Sequence, residues 1–266
     1  MPEFVLSGGR VIDPATGRDE ITDVLVRDGR IAAVGTGQVG VEVIDVTGCV
    51  VMPGFVDLHT HLREPGREDA ETVETGSKAA ARGGYTALCP MANTDPVADS
   101  AAVVELVAKL GEQAGYVDVF PVGAITVGLA GEQLAEMGEM VASTAHVNFF
   151  SDDGRCVNDA GLMRRAMEYA ATFDAIIANH AEERSLHGDG HMHEGAVSAR
   201  LGLRGIPPEA EEVIVARDLM LARRTRCRMH VPHVSTARTL GFIEAAKANG
   251  VNVTAEVCPH HLVLTD

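Results

Sequence analysis

Apolar and polar positions follow two rhythms along the chain, and the change falls near residue 52. Before it, short apolar pieces such as Phe4-Val5-Leu6 and Arg10-Val11-Ile12 alternate with polar turns, and Val41-Glu42-Val43-Ile44-Asp45-Val46 has a period of two before Gly48. Asp28-Gly29 stands between Asp23-Val24-Leu25-Val26-Arg27 and Arg30-Ile31-Ala32-Ala33-Val34, which is a hairpin signal. Residues 1–52 are therefore expected to form a small β-sandwich-like domain. From residue 53 onward, apolar runs of strand length alternate with Ala-rich stretches of helical period. Strands are expected at 54–59, 84–90, 116–124, 146–151, 174–180, 227–233 and 251–258. Helices are expected at 72–82, 100–114, 131–140, 161–171, 208–224 and 236–249.

Strand and helix in repetition predict a parallel sheet with helices outside. The strand runs are apolar throughout, as strands buried on both faces should be. The expected fold is α/β: a TIM-type (β/α) barrel over 53–266 behind the small N-terminal β domain, with seven strand candidates before the chain stops. A complete (β/α)8 barrel takes about 250 residues, more than remain after the first 52.

Composition narrows the function. Lys plus Arg number 22 against 38 Asp plus Glu, a formal net charge of −16, and 46 % of residues are hydrophobic. So much apolar content argues against disorder, and so acidic a chain argues against non-specific binding to nucleic acid. No apolar run approaches the roughly 18–20 residues of a membrane span, and Met1-Pro2-Glu3-Phe4 lacks a signal peptide's basic and apolar regions. Five scattered cysteines, Cys49, Cys89, Cys156, Cys227 and Cys258, without a CxxC pair, read as free thiols in a reducing cytosol.

The chemistry sits where the apolar runs end. The first closes on His59-Thr60-His61, the fourth on Ser151-Asp152-Asp153, the fifth on Asn179-His180, the sixth on His230-Val231-Pro232-His233. In a parallel barrel all C-terminal strand ends open on one face, so His59, His61, Asp153, His180 and His233 should converge there. Residues two apart on a strand point the same way, which lets His59 and His61 grip one ion. Four imidazoles and a carboxylate exceed one zinc site. Two ions about 3.5–4 Å apart, bridged by the carboxylate and a hydroxide, would use them all, with zinc the natural occupant and Co, Ni or Mn as substitutes. Any one of these histidines alone reads as a half-buried structural residue; four strand ends carrying ligand-type side chains do not.

Other signals are weaker. His187, His191 and His193 lie in the Gly-rich stretch 186–193, which reads as a mobile loop near the barrel mouth rather than a second metal site. His146 and His230 read as structural, while His260 and His261, ending the last strand, leave ligand and substrate roles open. Gly35-Thr36-Gly37-Gln38-Val39-Gly40 fits GxGxxG, but a β run follows where a dinucleotide loop must open a helix, so it reads as a turn. Asn252-Val253-Thr254 fits a glycosylation sequon inside an expected strand.

The stretch Pro53-Gly54-Phe55-Val56-Asp57-Leu58-His59-Thr60-His61-Leu62-Arg63-Glu64-Pro65-Gly66 resembles the dihydroorotases of the amidohydrolase superfamily, in their longer bacterial class. The likeness runs on through Glu74-Thr75-Gly76-Ser77-Lys78, Asn93-Thr94, Ser151-Asp152-Asp153-Gly154, His193-Glu194-Gly195, His233-Val234-Ser235-Thr236 and Thr254-Ala255-Glu256-Val257-Cys258-Pro259-His260-His261-Leu262. The resemblance implies a (β/α)8 barrel with a binuclear centre: His59 and His61 on one Zn2+, His180 and His233 on the other, and Asp153 bridging where many relatives use a carboxylated Lys. It also implies His61, Arg63 and Asn93 as substrate-binding residues, with Arg63 and Asn93 on the substrate carboxylate. Read without the family, Arg63 would be a loop ion pair with Glu64 or Glu68, and Asn93 a turn residue before Asp95-Pro96.

The implied reaction is the reversible cyclisation of N-carbamoyl-L-aspartate to L-dihydroorotate, a step of pyrimidine biosynthesis. The family's acid for the leaving nitrogen is an Asp after strand eight, and it has no counterpart up to Asp266. The 266 residues are accordingly expected to be part of a longer protein, with little or no activity by themselves. Two alternatives stand beside this reading. One is a hydantoinase, dihydropyrimidinase or allantoinase, which needs no carboxylate clamp. The other is a non-catalytic subunit scaffolding aspartate carbamoyltransferase, a type that loses metal ligands. A second copy of the chain and aspartate carbamoyltransferase are the candidate protein partners.

Overall fold

The computed structural model describes residues 3–40 and 42–264. The chain divides into two compact units, the first ending at Phe55 and the second beginning at Val56.

The first unit is a five-stranded sheet of β1 (Phe4–Asp13), β2 (Arg18–Arg27), β3 (Arg30–Val34), β4 (Glu42–Asp45) and β5 (Val50–Val51), in the order β3-β2-β1-β4 with β5 also on β1. The β2–β3 hairpin turns at Asp28-Gly29 with both φ positive, 51° and 71°, as the tightest right-twisting turn requires. The GxGxxG segment is a turn: the Asp23 carboxylate accepts from Gly37 N at 2.9 Å and Gly8 N at 3.1 Å, and the next regular element is β4.

The second unit alternates strands and helices: β6 (Phe55–Thr60), α1 (Val73–Arg82), β7 (Tyr85–Pro90), α2 (Ala101–Ala114), β8 (Asp118–Val119), α3 (Met137–Ala142), β9 (Phe149–Phe150), α4 (Ala160–Ala171), β10 (Ile176–Ala178), α5 (Arg184–His187), β11 (Met192–His193), α6 (Ala196–Leu201), β12 (Gly205–Ile206), α7 (Glu209–Thr225), β13 (Arg228–Val231), α8 (Ala237–Ala248), β14 (Val253–Ala255) and α9 (Pro259–Val263). Strands β6, β7 and β8 are neighbours in that order, and β9, β10, β13 and β14 follow as parallel neighbours. A parallel bridge from Gly123 to Phe150 joins the two runs. The expected seven barrel strands are therefore all present and in sequence order, and among the described residues no further strand follows β14. Three of the barrel helices begin where side chains satisfy free N–H groups: Thr72 and Thr75 form a reciprocal cap on α1, on α4 Asp159 accepts from Leu162 N at 2.5 Å, and on α8 Thr236 accepts from Thr239 N at 3.3 Å. Ile125, Met137, Met140, Phe150, Met163, Met167, Ile177 and Ile214 are fully buried between strands and helices. No described helix is long and apolar enough to cross a membrane.

Three expectations change. The helix expected at 131–140 is confined to α3. Gly131 adopts φ of 70° there, and the following backbone pairs with residues 125–127 instead of with itself: Val127 N donates to Gln133 O and Ala135 N to Ile125 O, both at 2.9 Å, around an antiparallel bridge from Thr126 to Leu134. The Gly-rich stretch near residue 190 is more than loop: β11 pairs in parallel with β12. His260 and His261 do not end the last strand. That strand stops at Ala255, and both histidines lie in the short helix α9, which Pro259 opens.

Candidate metal centre

The C-terminal ends of β6, β9, β10 and β13 deliver His59, His61, Asp153, His180 and His233 to one place. Two groups of donors form, His59–His61–Asp153 and Asp153–His180–His233, each with its ligand atoms within 4.8 Å of one another. Asp153 belongs to both. Its Oδ1 lies 3.1 Å from His59 Nε2, 3.6 Å from His180 Nδ1 and 3.8 Å from His233 Nε2, and its Oδ2 lies 3.5 Å from His61 Nε2. His180 Nδ1 and His233 Nε2 are 3.0 Å apart. Asp152 turns the other way, into the β8 side of the barrel, and so is no part of the cluster.

The second ring nitrogen of each β6 histidine is already engaged. His59 Nδ1 lies 2.8 Å from Glu256 Oε1, and His61 Nδ1 lies 3.0 Å from Asn93 Oδ1. A neutral imidazole that donates from Nδ1 presents a lone pair at Nε2, and both Nε2 atoms face Asp153. With both Nε2 atoms aimed at a carboxylate at 3.1–3.5 Å, positive charge is stabilised between them, either as a proton on the imidazole or as a bound cation. Such partners fix the tautomer and orientation of metal-ligating histidines, so the donor set and its supports fit metal binding.

The electrostatics agree. Burial disfavours the Asp153 carboxylate, but bonds from His180, His233 and His59 outweigh it and hold the group well below the ordinary range. Burial likewise opposes charge on His59, yet Asp153 and Glu256 pull its pKa up to about 9. Glu256, also opposed by burial, is brought down to about 2 by His230 and His59. His61 is lowered chiefly by burial, with the positive charge of Arg63 acting in the same direction. Negative charge from Asp153 and Glu256 therefore dominates the pocket.

Asn93 is placed deeper than a simple carboxylate clamp: besides His61, its Nδ2 donates to Asp153 Oδ2 at 3.3 Å. Arg63 follows β6 in the left-handed region, φ 61°, a conformation that persists only when the surroundings impose it. Its guanidinium has no hydrogen bond or ion pair among the described residues. The carboxylates near it in sequence bond backbone N–H groups instead. Glu64 accepts from Val73 N at 2.7 Å and Glu68 from Gly66 N at 2.8 Å. Gly66, φ 102°, lets the loops after β6 and β7 touch, because a Cβ there would collide with the Asp95 carbonyl oxygen.

Glu256 went unrecognised in the sequence. It stands just past the C-terminal end of β14, where the rule that found the other candidates applies equally well, and it links His59 to the buried His230, whose Nε2 is 3.3 Å from Glu256 Oε2. His230 is structural in that sense, tied also to Thr254 Oγ1 at 2.8 Å. Glu256→Ala is expected to weaken metal binding by about 10–100-fold, measured by competition with a chromophoric chelator; unchanged affinity would show that His59 needs no such support. His193 joins His180 and His233 in lining the cleft above the cluster.

The sequence profile of the Dihydro-orotase-like family matches residues 48–239. The dihydroorotase of Leifsonia xyli subsp. xyli is 54 % identical over 265 residues, covering 99 % of this chain and 59 % of that protein. The dihydroorotase of Mycobacterium tuberculosis is 57 % identical over 253 residues, covering 94 % of this chain and 59 % of that protein. The chain thus spans about three-fifths of the length of the curated relatives it matches. Among solved structures, the L-hydantoinase (dihydropyrimidinase) of Arthrobacter aurescens superposes with a TM-score of 0.81 at 24 % identity, covering 100 % of this chain and 60 % of that one. This last likeness is one of fold.

Proposed function

Given that this chain belongs to the Dihydro-orotase-like family, we propose that it carries the metal centre of a zinc-dependent dihydroorotase, which interconverts N-carbamoyl-L-aspartate and L-dihydroorotate in pyrimidine biosynthesis. His59 and His61 would hold one Zn2+, His180 and His233 the other, with Asp153 and a hydroxide between them. Bound there, the metal pair supplies a nucleophile at neutral pH and polarises the ring amide carbonyl. The protein's own part is to set the donors, through Glu256 on His59 and Asn93 on His61, and to orient the substrate.

The observation that carries the substrate assignment is the unpaired Arg63 guanidinium beside His61. A planar fork of N–H donors with no protein partner suits a carboxylate, bound bidentately. L-Dihydroorotate and N-carbamoyl-L-aspartate have that carboxylate, whereas a hydantoin does not need one. In the natural protein, Arg63→Ala is expected to cost dihydroorotate turnover on the order of 10²–10³-fold, the value of one charge-assisted bidentate contact of roughly 3–4 kcal/mol, while hydantoin hydrolysis changes little. Equal loss on both substrates would favour a hydantoinase-type amidase and remove the clamp. The non-catalytic reading is disfavoured by the convergence of all five ligand-type residues. From family resemblance we extend the proposal to a homodimer and to association with aspartate carbamoyltransferase.

A further inference from the structure

A third group of donors lies outside the centre just described and shares no residue with it. Cys258, His260 and His261 place one ligand atom each within 4.8 Å of the others. All three line the same cleft as His180 and His233. We propose that Cys258, His260 and His261 form an accessory site for a thiophilic divalent cation, such as Zn2+ or Co2+, on the wall of the cleft.

The local backbone explains why the group forms. Cys258 is the residue before α9, with extended φ and ψ of −79° and 150°, and Pro259 starts the helix. The backbone N–H of Cys258 donates to His261 Nδ1 at 3.3 Å, folding the second histidine back over the first turn and leaving its Nε2 as the ring nitrogen free for a ligand bond. The His260 and His261 rings meet edge to face at 4.3 Å between centroids. Neither the Cys258 thiol nor the His260 ring has a hydrogen-bond partner among the described residues, so binding a cation displaces no protein contact from either. Three donors within four consecutive residues of an already turned backbone lose little freedom on chelation.

A thiolate and two imidazoles are a ligand set for zinc, cobalt and similar borderline-soft ions rather than for magnesium or calcium. Zinc–sulfur and zinc–nitrogen bonds of about 2.3 and 2.0–2.1 Å require the three atoms to draw together by about an ångström, within rotamer reach of the exposed histidines. Cys258 gives up its thiol proton to solvent on binding. The fourth position faces the cleft and would hold an exchangeable water.

Sulfur makes the site separately readable. The centre built on His59, His61, Asp153, His180 and His233 contains no cysteine, so loading it with Co2+ cannot produce a thiolate-to-cobalt charge-transfer band. Metal-stripped natural protein titrated with Co2+ is expected to develop such a near-ultraviolet band, saturating at about one equivalent for this site. Cys258→Ser should abolish the band, Cys49→Ser should leave it, and the exposed pair His260→Ala/His261→Ala should weaken its midpoint by at least about tenfold. No band in the natural protein, or a band that survives Cys258→Ser, would overturn the proposal. Neither outcome depends on turnover, so the dihydroorotase reading stands or falls separately.

Discussion

Asp153→Asn is expected to reduce the proposed dihydroorotase turnover by about three orders of magnitude or more, equivalent to roughly 4 kcal/mol of lost transition-state stabilisation. Asparagine keeps the shape of the side chain and removes its charge. The carboxylate lies within 3.1–3.8 Å of four imidazole nitrogens, and it alone belongs to both donor groups. Without it, neither half of the centre keeps three protein ligands, and the two halves lose the group that spaces them. On the proposed binuclear reading, metal content should therefore fall together with turnover, from about two ions per chain toward none. The variant should still fold, because Asp153 is held mainly by the histidines themselves, while its neighbour Asp152 carries the buried bonds to Ile125 and Thr126. Full metal content with normal turnover in Asp153→Asn would refute the bridging role.

Asp218→Ala is expected to destabilise the protein by about 3–5 kcal/mol, a fall in Tm on the order of 10 °C. Asp218 lies on α7, wholly inaccessible to solvent. It accepts from Arg217 at 2.7–2.8 Å and from Asn179 Nδ2 at 2.8 Å. Arg217 also donates to the carbonyl oxygens of Asn158 and Val157 at 2.7 and 2.9 Å, and Asn179 Oδ1 accepts from Val157 N at 3.0 Å. The network ties the segment after Asp153 to the residue before His180. Removing the carboxylate leaves a half-buried guanidinium without its counter-charge and a buried amide donor without its main acceptor, which costs more than the pair contributes. The double variant Arg217→Met/Asp218→Leu should consequently lose less stability than Asp218→Ala alone, as measured by thermal unfolding of both. A larger loss in the double variant would show that packing, not charge, dominates at this position. Metal affinity should fall in Asp218→Ala as well, since Asp153 and His180 both hang from this network.

The local determinants of this fold were legible without coordinates. Strand and helix differ in hydrophobic period, which was enough to order the seven strands and most of the helices between them. One chain direction per parallel strand then forces the ends at His59, Asp153, His180 and His233 onto one face, so even a distant cluster could be anticipated. The helix expected at 131–140 is shortened because residues 133–135 pair with the backbone of 125–127, a pairing between loop segments that no hydrophobic period reveals.

What the sequence determined by itself, then, was the identity of the ligand-type side chains and the strand ends that carry them, because periodicity and chain direction are properties of neighbours along the chain. What only the tertiary structure decided was which of those groups support one another. Glu256 meets His59 across 197 residues, Asn93 bonds both His61 and Asp153, Asp152 turns away where Asp153 turns in, and Asp218 reaches Asn179. Those pairings depend on strand register and loop packing to within an ångström. Hydrogen bonds impose that tolerance on the folded chain, and spacing along the sequence does not encode it.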